Sequence, residues 1–387
     1  MYKILTLNNI SVAGLERLPR ENYEIASEIQ HPDAVLLRSF KMHDMEIPAT
    51  LKAVGRAGAG VNNIPVDKMS ALGIPVFNAP GANANAVKEL VLAGMLLASR
   101  NICQAWDFAR NLQGSDEEIN KMVEAGKKDF AGFELPGRTL GVVGLGAIGR
   151  LLANTAVSMG MNVIGYDPNI TVEGAWKLSA TVKKANSIDE LLTAVDYVSF
   201  HVPLVDTTRH MINADRVKLM KKTAVILNFA RGGIVDDEAV AAALKTGKLH
   251  AYVCDFPSNL LKQHPGVIAL PHLGASTREA EENCAIMVAD QVREYLENGT
   301  VRNSVNFPEV QMSRGEGYRI GIVNSNVPNM VGQISTAMAK AGLNIIDMLN
   351  KSRGDLAYTV ADVDQAIDES VLSEIRAIDG VLAVRTM

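Results

Sequence analysis

Short apolar runs separated by polar or helical stretches set the rhythm of most of the chain. Residues 3–7, 34–37, 53–56 and 76–78 read as strands within a parallel α/β unit. An apolar helical segment follows at 84–100, and 105–126 continues as helix with polar faces; together they form a long connection. A second α/β series starts at Thr139. Its strands fall at 140–143, 163–166, 197–201, 224–228, 250–255 and 267–269, with helices such as 189–194 and 237–246 between them. The next helix starts at Ser276 and Thr277, has acids in its first turns and stops at Gly299. It returns to the first series, so the second unit is expected as an insertion within a discontinuous first. Residues 303–317 are polar, carry glycine and show no sustained period, which predicts a linker. Beyond them come a strand (318–323), a helix (329–341), two strands around a turn at 351–355, a helix (369–377) and a strand (381–384). That β-α-β-β-α-β order predicts a ferredoxin-like unit. The expected domains are 1–96 with 283–304, 97–282, a linker at 305–317, and 318–387.

Candidate chemistry enters at the first strand of the second series. The run 140–143 leads into Gly144, Gly146 and Gly149, spaced G-x-G-x-x-G, then a helical segment and a second strand that ends at Asp167. Gly144 permits a tight turn, Gly146 lets backbone approach a pyrophosphate, and Gly149 lets the helix lie on the strand. The helix N-terminus then offers free N–H groups and its positive dipole end to phosphate. Asp167 lies 18 residues after Gly149, near the spacing at which an acid accepts hydrogen bonds from an adenosine ribose. Its charge would repel a 2′-phosphate, so NAD is expected over NADP. Earlier in the chain, GRAGAGVNNI from Gly55 is glycine-rich beside Arg56, and its N–H groups could cradle a carboxylate or phosphate.

Composition narrows the classes. The chain has 387 residues, 48% of them hydrophobic, and a formal charge of -5. No long like-charge run occurs, so the electrostatic footprint of a nucleic-acid binder is missing. Three widely spaced cysteines, Cys103, Cys254 and Cys284, predict free thiols in a reducing compartment and show no metal-ligand spacing. No apolar run approaches the length of a membrane span, and no leader pattern opens the chain, so a cytoplasmic protein without a membrane partner is expected.

These segments together resemble the D-2-hydroxyacid dehydrogenases, and more narrowly their phosphoglycerate dehydrogenase branch with a C-terminal ACT regulatory domain. The matching stretches are GRAGAGVNN (55–63), IPVFNAP with ELVLAGMLL (within 74–97), GLGAIGR (144–150), HVPL (201–204), NFARGGIVDDEAV (228–240) and PHLGAST (271–277). The resemblance implies two Rossmann-like parallel-sheet domains, the NAD domain inserted in a discontinuous substrate domain, plus a ferredoxin-like ACT domain. It implies oxidation of 3-phospho-D-glycerate to 3-phosphohydroxypyruvate, the first step of L-serine synthesis. Another D-2-hydroxyacid substrate, or an NAD-sensing protein without turnover, are the alternatives.

Roles carry over by position. Arg231 matches the arginine that clamps the substrate carboxylate, a pairing suited to guanidinium geometry. His272 matches the general acid/base. Cofactor contacts are implied for Ala147, Ile148, Asp167, Val202, Pro203, Phe229, Ala230 and Gly274 beside the glycines, and His201 lies at a strand end along the cofactor. The N–H groups of Ala59, Gly60 and Val61 are implied as contacts of the substrate carboxylate, with Arg56, Arg38 and Lys41 as cations for a phosphate. One segment departs from the family, which has D-V-F-x-x-E-P before the histidine. Here Cys254 stands at the aspartate and Asn259 at the glutamate, with Phe256 aligned. Either Asp255, one residue along, supplies the carboxylate to cofactor or histidine, which is the favoured reading, or His272 works with a weaker partner. In the C-terminal unit, Asn324, Asn326 and Asn344 fall at the family's L-serine effector positions, although Asn324 replaces a histidine and Asn329 a glycine. A homodimer or homotetramer is the implied assembly.

Overall fold

All 387 residues are described by the computed structural model. The chain forms two compact units, Met1–Asn83 with Arg278–Met387, and Ala84–Thr277. No helix is long and apolar enough to cross a membrane.

The first unit opens with β1 (Tyr2–Leu7), β2 (Tyr23–Ala26), β3 (Ala34–Leu37), β4 (Ala53–Arg56) and β5 (Val76–Phe77). They make a five-stranded parallel sheet in the order β2-β1-β3-β4-β5. All four residues of β3 are buried, as expected of a central parallel strand covered on both faces. The Arg278–Asn298 helix covers one face, setting Ala285, Val288, Ala289, Val292 and Leu296 among Ile4, Leu36 and Phe77. It stops where Gly299 takes φ +70°, a conformation that suits glycine.

In the second unit, β6 (Thr139–Val143), β7 (Asn162–Tyr166), β8 (Lys183–Lys184), β9 (Tyr197–Phe200), β10 (Ala224–Asn228), β11 (Leu249–Cys254) and β12 (Val267–Ala269) form a seven-stranded sheet in the order β12-β11-β10-β9-β6-β7-β8. Every pairing is parallel. The order reverses between β6 and β9, so ligand chemistry is expected beyond the carboxyl ends of the strands there. The Ala84–Ser99 helix belongs to this unit although the sequence reading assigned residues up to 96 to the first. Its Val87, Val91, Met95 and Ala98, on one face by helical spacing, pack with Leu140, Val142, Leu227 and Val253.

The C-terminal strands β13 (Tyr318–Ser325), β14 (Ile345–Arg353), β15 (Leu356–Val363) and β16 (Val381–Thr386) form an antiparallel sheet in the order β14-β15-β13-β16. With the helices Met330–Lys340 and Glu369–Arg376, this arrangement is compatible with a ferredoxin-like fold. Strand alternation gives the sheet two apolar faces. Ile320, Ile322, Ala361 and Val363 meet the two helices. Val323, Tyr358 and Val360 point the other way and join Phe77, Tyr295 and Phe307 in the core under the first sheet.

The stretch predicted as a linker is therefore part of that core. Phe307 and Val310 are fully buried, Asn306 exchanges hydrogen bonds with the backbone of Ile74 and Val76, and Ser304 donates to the Val76 carbonyl. Arginines fasten the C-terminal sheet to the rest of the unit. Arg319, opposite Asp362 in the β13–β15 register, makes a bidentate pair with it at 2.7 Å and also donates to the carbonyls of Asn298, Met312 and Ser313. All five of its donors are used. Arg385 donates to the carbonyls of Tyr295 and Leu296 with its guanidinium 3.9 Å from the Tyr295 ring centroid. These contacts place positive charge on the last carbonyls of the Arg278–Asn298 helix, where the dipole favours it.

Candidate active site

Six of the seven strands in the second unit end in a residue singled out from the sequence. The glycine turn follows β6, Asp167 follows β7, His201 to Pro203 follow β9, Phe229 to Arg231 follow β10, Asp255 follows β11, and His272 follows β12.

The turn after β6 suits a dinucleotide on three counts. Gly144 has φ +88°, and a Cβ there would stand 2.5 Å from the carbonyl oxygen of His201 and 2.8 Å from the Val202 side chain. No side chain caps the Ala147–Ser158 helix, whose first residues include Ala147 and Ile148, so its leading N–H groups and positive end are left for an anion. Around Gly146 the space is open: an added Cβ would meet nothing within 4 Å. The glycine at 146 is thus not required by the fold. Gly146→Ala is expected to keep the melting temperature of the wild type while weakening NAD binding by about tenfold or more, roughly 1.4 kcal/mol, in a fluorescence titration. At Gly149 the added Cβ would lie 1.9 Å from the Gly144 carbonyl oxygen, so Gly149→Ala is expected to lower both.

Asp167 holds this turn. One carboxylate oxygen accepts from the Leu145 N–H at 2.8 Å and the other from the Asn169 N–H at 2.9 Å. Each oxygen keeps a second lone pair for ribose hydroxyls. His201 bonds through Nε2 to the Ser199 hydroxyl at 2.9 Å, and burial pushes its pKa down to about 4, so it is neutral at pH 7. The unfolded chain takes up a proton at this residue below its ordinary value of 6.5, whereas the folded one does so only near 4. Stability is therefore lost as pH falls through that window, by up to about 3 kcal/mol. Urea titrations across it should show a flatter dependence in His201→Gln.

The turn after β10 is built on Asn228, a fully buried side chain that the sequence reading passed over. Its amide donates to the Arg231 carbonyl at 3.0 Å, and its oxygen accepts from the Ala230 N–H at 3.3 Å. Phe229 is buried, while Arg231 is exposed with Nη1 on the Ala230 carbonyl at 2.7 Å. Gly274 lies against Val87.

The partner of His272 is Asp255. His272 Nδ1 stands 2.8 Å from Asp255 Oδ2; the carboxylate side chain is 0% exposed and the imidazole side chain 55% exposed. Strand alternation explains the choice. Tyr252 and Cys254 face one core, Ala251 and Val253 the other, and Asp255 continues the second parity. Cys254 is consequently buried, and burial pushes its thiol up to about 11. Asn259 is exposed. Burial also pushes the Asp255 carboxyl above its usual range, opposed by the charges of His272 and Arg231. Phe256, used in the sequence only for alignment, places its ring 4.7 Å from the imidazole centroid and limits its rotation.

Residues 93–274 match the family described as "D-isomer specific 2-hydroxyacid dehydrogenase, NAD binding domain". The chain is 36% identical over 365 residues to D-3-phosphoglycerate dehydrogenase of Methanocaldococcus jannaschii, covering 91% of this chain and 66% of that protein. It is 35% identical over 355 residues to the Haemophilus influenzae protein of the same name, covering 89% of this chain and 83% of that one. The chain belongs to the D-2-hydroxyacid dehydrogenase family. NAD is its cofactor. Among solved structures, NAD-bound 3-phosphoglycerate dehydrogenase of Entamoeba histolytica superposes with TM-score 0.61 at 25% identity, over 79% of this chain and 98% of that one.

In the first unit of this dehydrogenase, the candidate anion site follows β4. Arg56 Nε donates to the Arg38 carbonyl at 3.1 Å, and its guanidinium lies over Gly58. The N–H groups of Ala59, Gly60 and Val61 have no acceptor within the unit, and Asn78 holds the loop through the Ala59 carbonyl. Arg38 is paired with Glu281 at 2.7 Å, and Lys41 is exposed.

The three asparagines of the dehydrogenase's C-terminal sheet do not converge within one chain. Asn324 pairs with Ala357 at one end of β13 and Asn326 follows it, whereas Asn344 bonds Asp364 beside the pairing of Tyr318 with Val363 at the other end. At about 3.3 Å per residue, β13 separates them by roughly 20 Å. Asn324 is buried with its side-chain oxygen unpartnered, and Asn326 donates to the Gly354 carbonyl. Asn329 takes φ +67°, a conformation open to asparagine as well as to the family's glycine.

Proposed function

We propose that this enzyme oxidises 3-phospho-D-glycerate to 3-phosphohydroxypyruvate with NAD, at the entry to L-serine synthesis. The observation that carries the reading is the His272–Asp255 pair, exposed imidazole on buried carboxylate, at strand ends that also carry Arg231 and the glycine turn. The two curated relatives with that activity in their names support the substrate.

Gly144, Gly146, Ala147, Ile148, Gly149 and Asp167 would hold NAD, with Val202, Pro203, Phe229, Ala230 and Gly274 lining its course. Bound NAD supplies the acceptor for the C2 hydride. His272 gives its Nδ1 proton to the bond with Asp255, which leaves the Nε2 lone pair to take the C2 hydroxyl proton. The imidazolium that results lies against the charge of the buried Asp255 carboxylate. Arg231 and the N–H groups of Ala59, Gly60 and Val61 take the substrate carboxylate, and Arg56, with Arg38 and Lys41, offers cations for the phosphate. The C-terminal unit serves as an ACT-type regulatory domain. Because Asn344 lies at the far end of β13 from Asn326, a serine site using both draws on two chains, in keeping with a homodimer or homotetramer.

A steady-state assay following NADH tests the reading. Rapid NADH oxidation with 3-phosphohydroxypyruvate is expected; turnover only with other 2-oxoacids, or NADH binding without turnover, would replace it.

A further inference from the structure

A cavity of about 530 Å³ lies in the first unit along one stripe of the Arg278–Asn298 helix, and none of its lining residues is a strand-end position described above. One of its lining residues is Gln291, only 6% exposed, and neither its amide nitrogen nor its amide oxygen has a partner. A buried amide without hydrogen bonds is destabilising, so its presence there points to a partner the chain itself does not supply. Asp290, one residue before it, is committed to Arg17 at 2.8 Å and to Arg293 at 3.8 Å. Glu294 and Arg302 line the same cavity, partly exposed and loosely paired with their charged groups 4.0 Å apart, and Arg302 also donates to the Gln311 side chain at 3.3 Å. Met287 and Ala82 provide an apolar wall.

One anion, one cation, an amide that can both donate and accept, and an apolar wall are the complement of a small zwitterion with a short side chain. The volume lies within the range of about 300–1,000 Å³ usual for small-molecule sites. We propose that this cavity binds a free α-amino acid, its ammonium on Glu294, its carboxylate on Arg302 and a polar side-chain group on Gln291. The bound molecule joins the helix to Ala82, which directly precedes the end of this chain segment at Asn83.

Thermal shift of the full-length protein against each of the twenty amino acids, followed by calorimetric titration of the strongest, tests the site. At least one amino acid should raise the melting temperature. Its Kd should weaken tenfold or more in Glu294→Gln and in Arg302→Met, side chains whose exposure lets the fold survive their loss. N-acetylation or amidation of the same amino acid, each removing one charge, should weaken it similarly, and Asn326→Ala should leave it unchanged. Gln291→Met should raise the melting temperature of the free protein and abolish the response. No shift with any amino acid, binding that survives both rim substitutions, or loss of binding in Asn326→Ala alone would overturn the assignment.

Discussion

Replacing His272 with glutamine is expected to lower kcat by about 10²–10⁴-fold, the usual worth of a positioned acid/base, while NADH still binds in a fluorescence titration. Glutamine keeps a polar side chain beside Asp255 but offers no group that titrates near neutral pH. Asp255→Asn should follow it in part. An amide preserves the shape of the contact and removes the charge that favours the imidazolium formed in the reaction, so kcat should fall, by less than in His272→Gln. A kcat indistinguishable from wild type in Asp255→Asn would show that the 2.8 Å pair is structural only.

Removing Asp362 is the largest stability change expected. Asp362→Ala leaves the Arg319 guanidinium buried with two donors and its charge uncompensated, which costs about 3–5 kcal/mol. Urea denaturation should show the loss, and limited proteolysis should place it in the C-terminal sheet. The double variant Arg319→Met, Asp362→Leu should recover much of it, because matched apolar side chains leave no charge to desolvate. The Arg319 guanidinium holds the Asp362 carboxyl below its usual range against the effect of burial, so wild-type stability from this pair is retained at neutral pH and lost only in strong acid.

Much of the site was legible because parallel strands are nearly continuous apolar runs whose ends are marked by polar or glycine residues. Gly144, Asp167, Arg231 and His272 each sit at such an end, the first two on one side of the switch point and the last two on the other. Alignment on Phe256 left the partner of His272 divided between Asp255, the favoured residue, and a weaker partner, since alignment compares positions whereas strand parity decides direction. Counting alternate residues from Tyr252 would have separated Cys254 from Asp255. Phe307 and Val310 were hidden by their polar neighbours, because two anchors in a short irregular stretch create no period. The three asparagines stay apart within one chain for a geometric reason: antiparallel register sends Asn344 back along the sheet, and linear spacing carries no sign of it.

The sheet that carries Tyr358 and Val360 also sets how this gene can be cut. A fragment ending near residue 317 would look modular on paper, yet it would lay bare Phe77, Tyr295 and Phe307 and leave the closing carbonyls of the Arg278–Asn298 helix without Arg319 and Arg385. Aromatic surface of that kind invites self-association. The C-terminal segment is thus the cover of a hydrophobic wound as well as a candidate regulator. Genetic fusions and swaps of regulatory tails in this lineage must bring along a matching aromatic and arginine face.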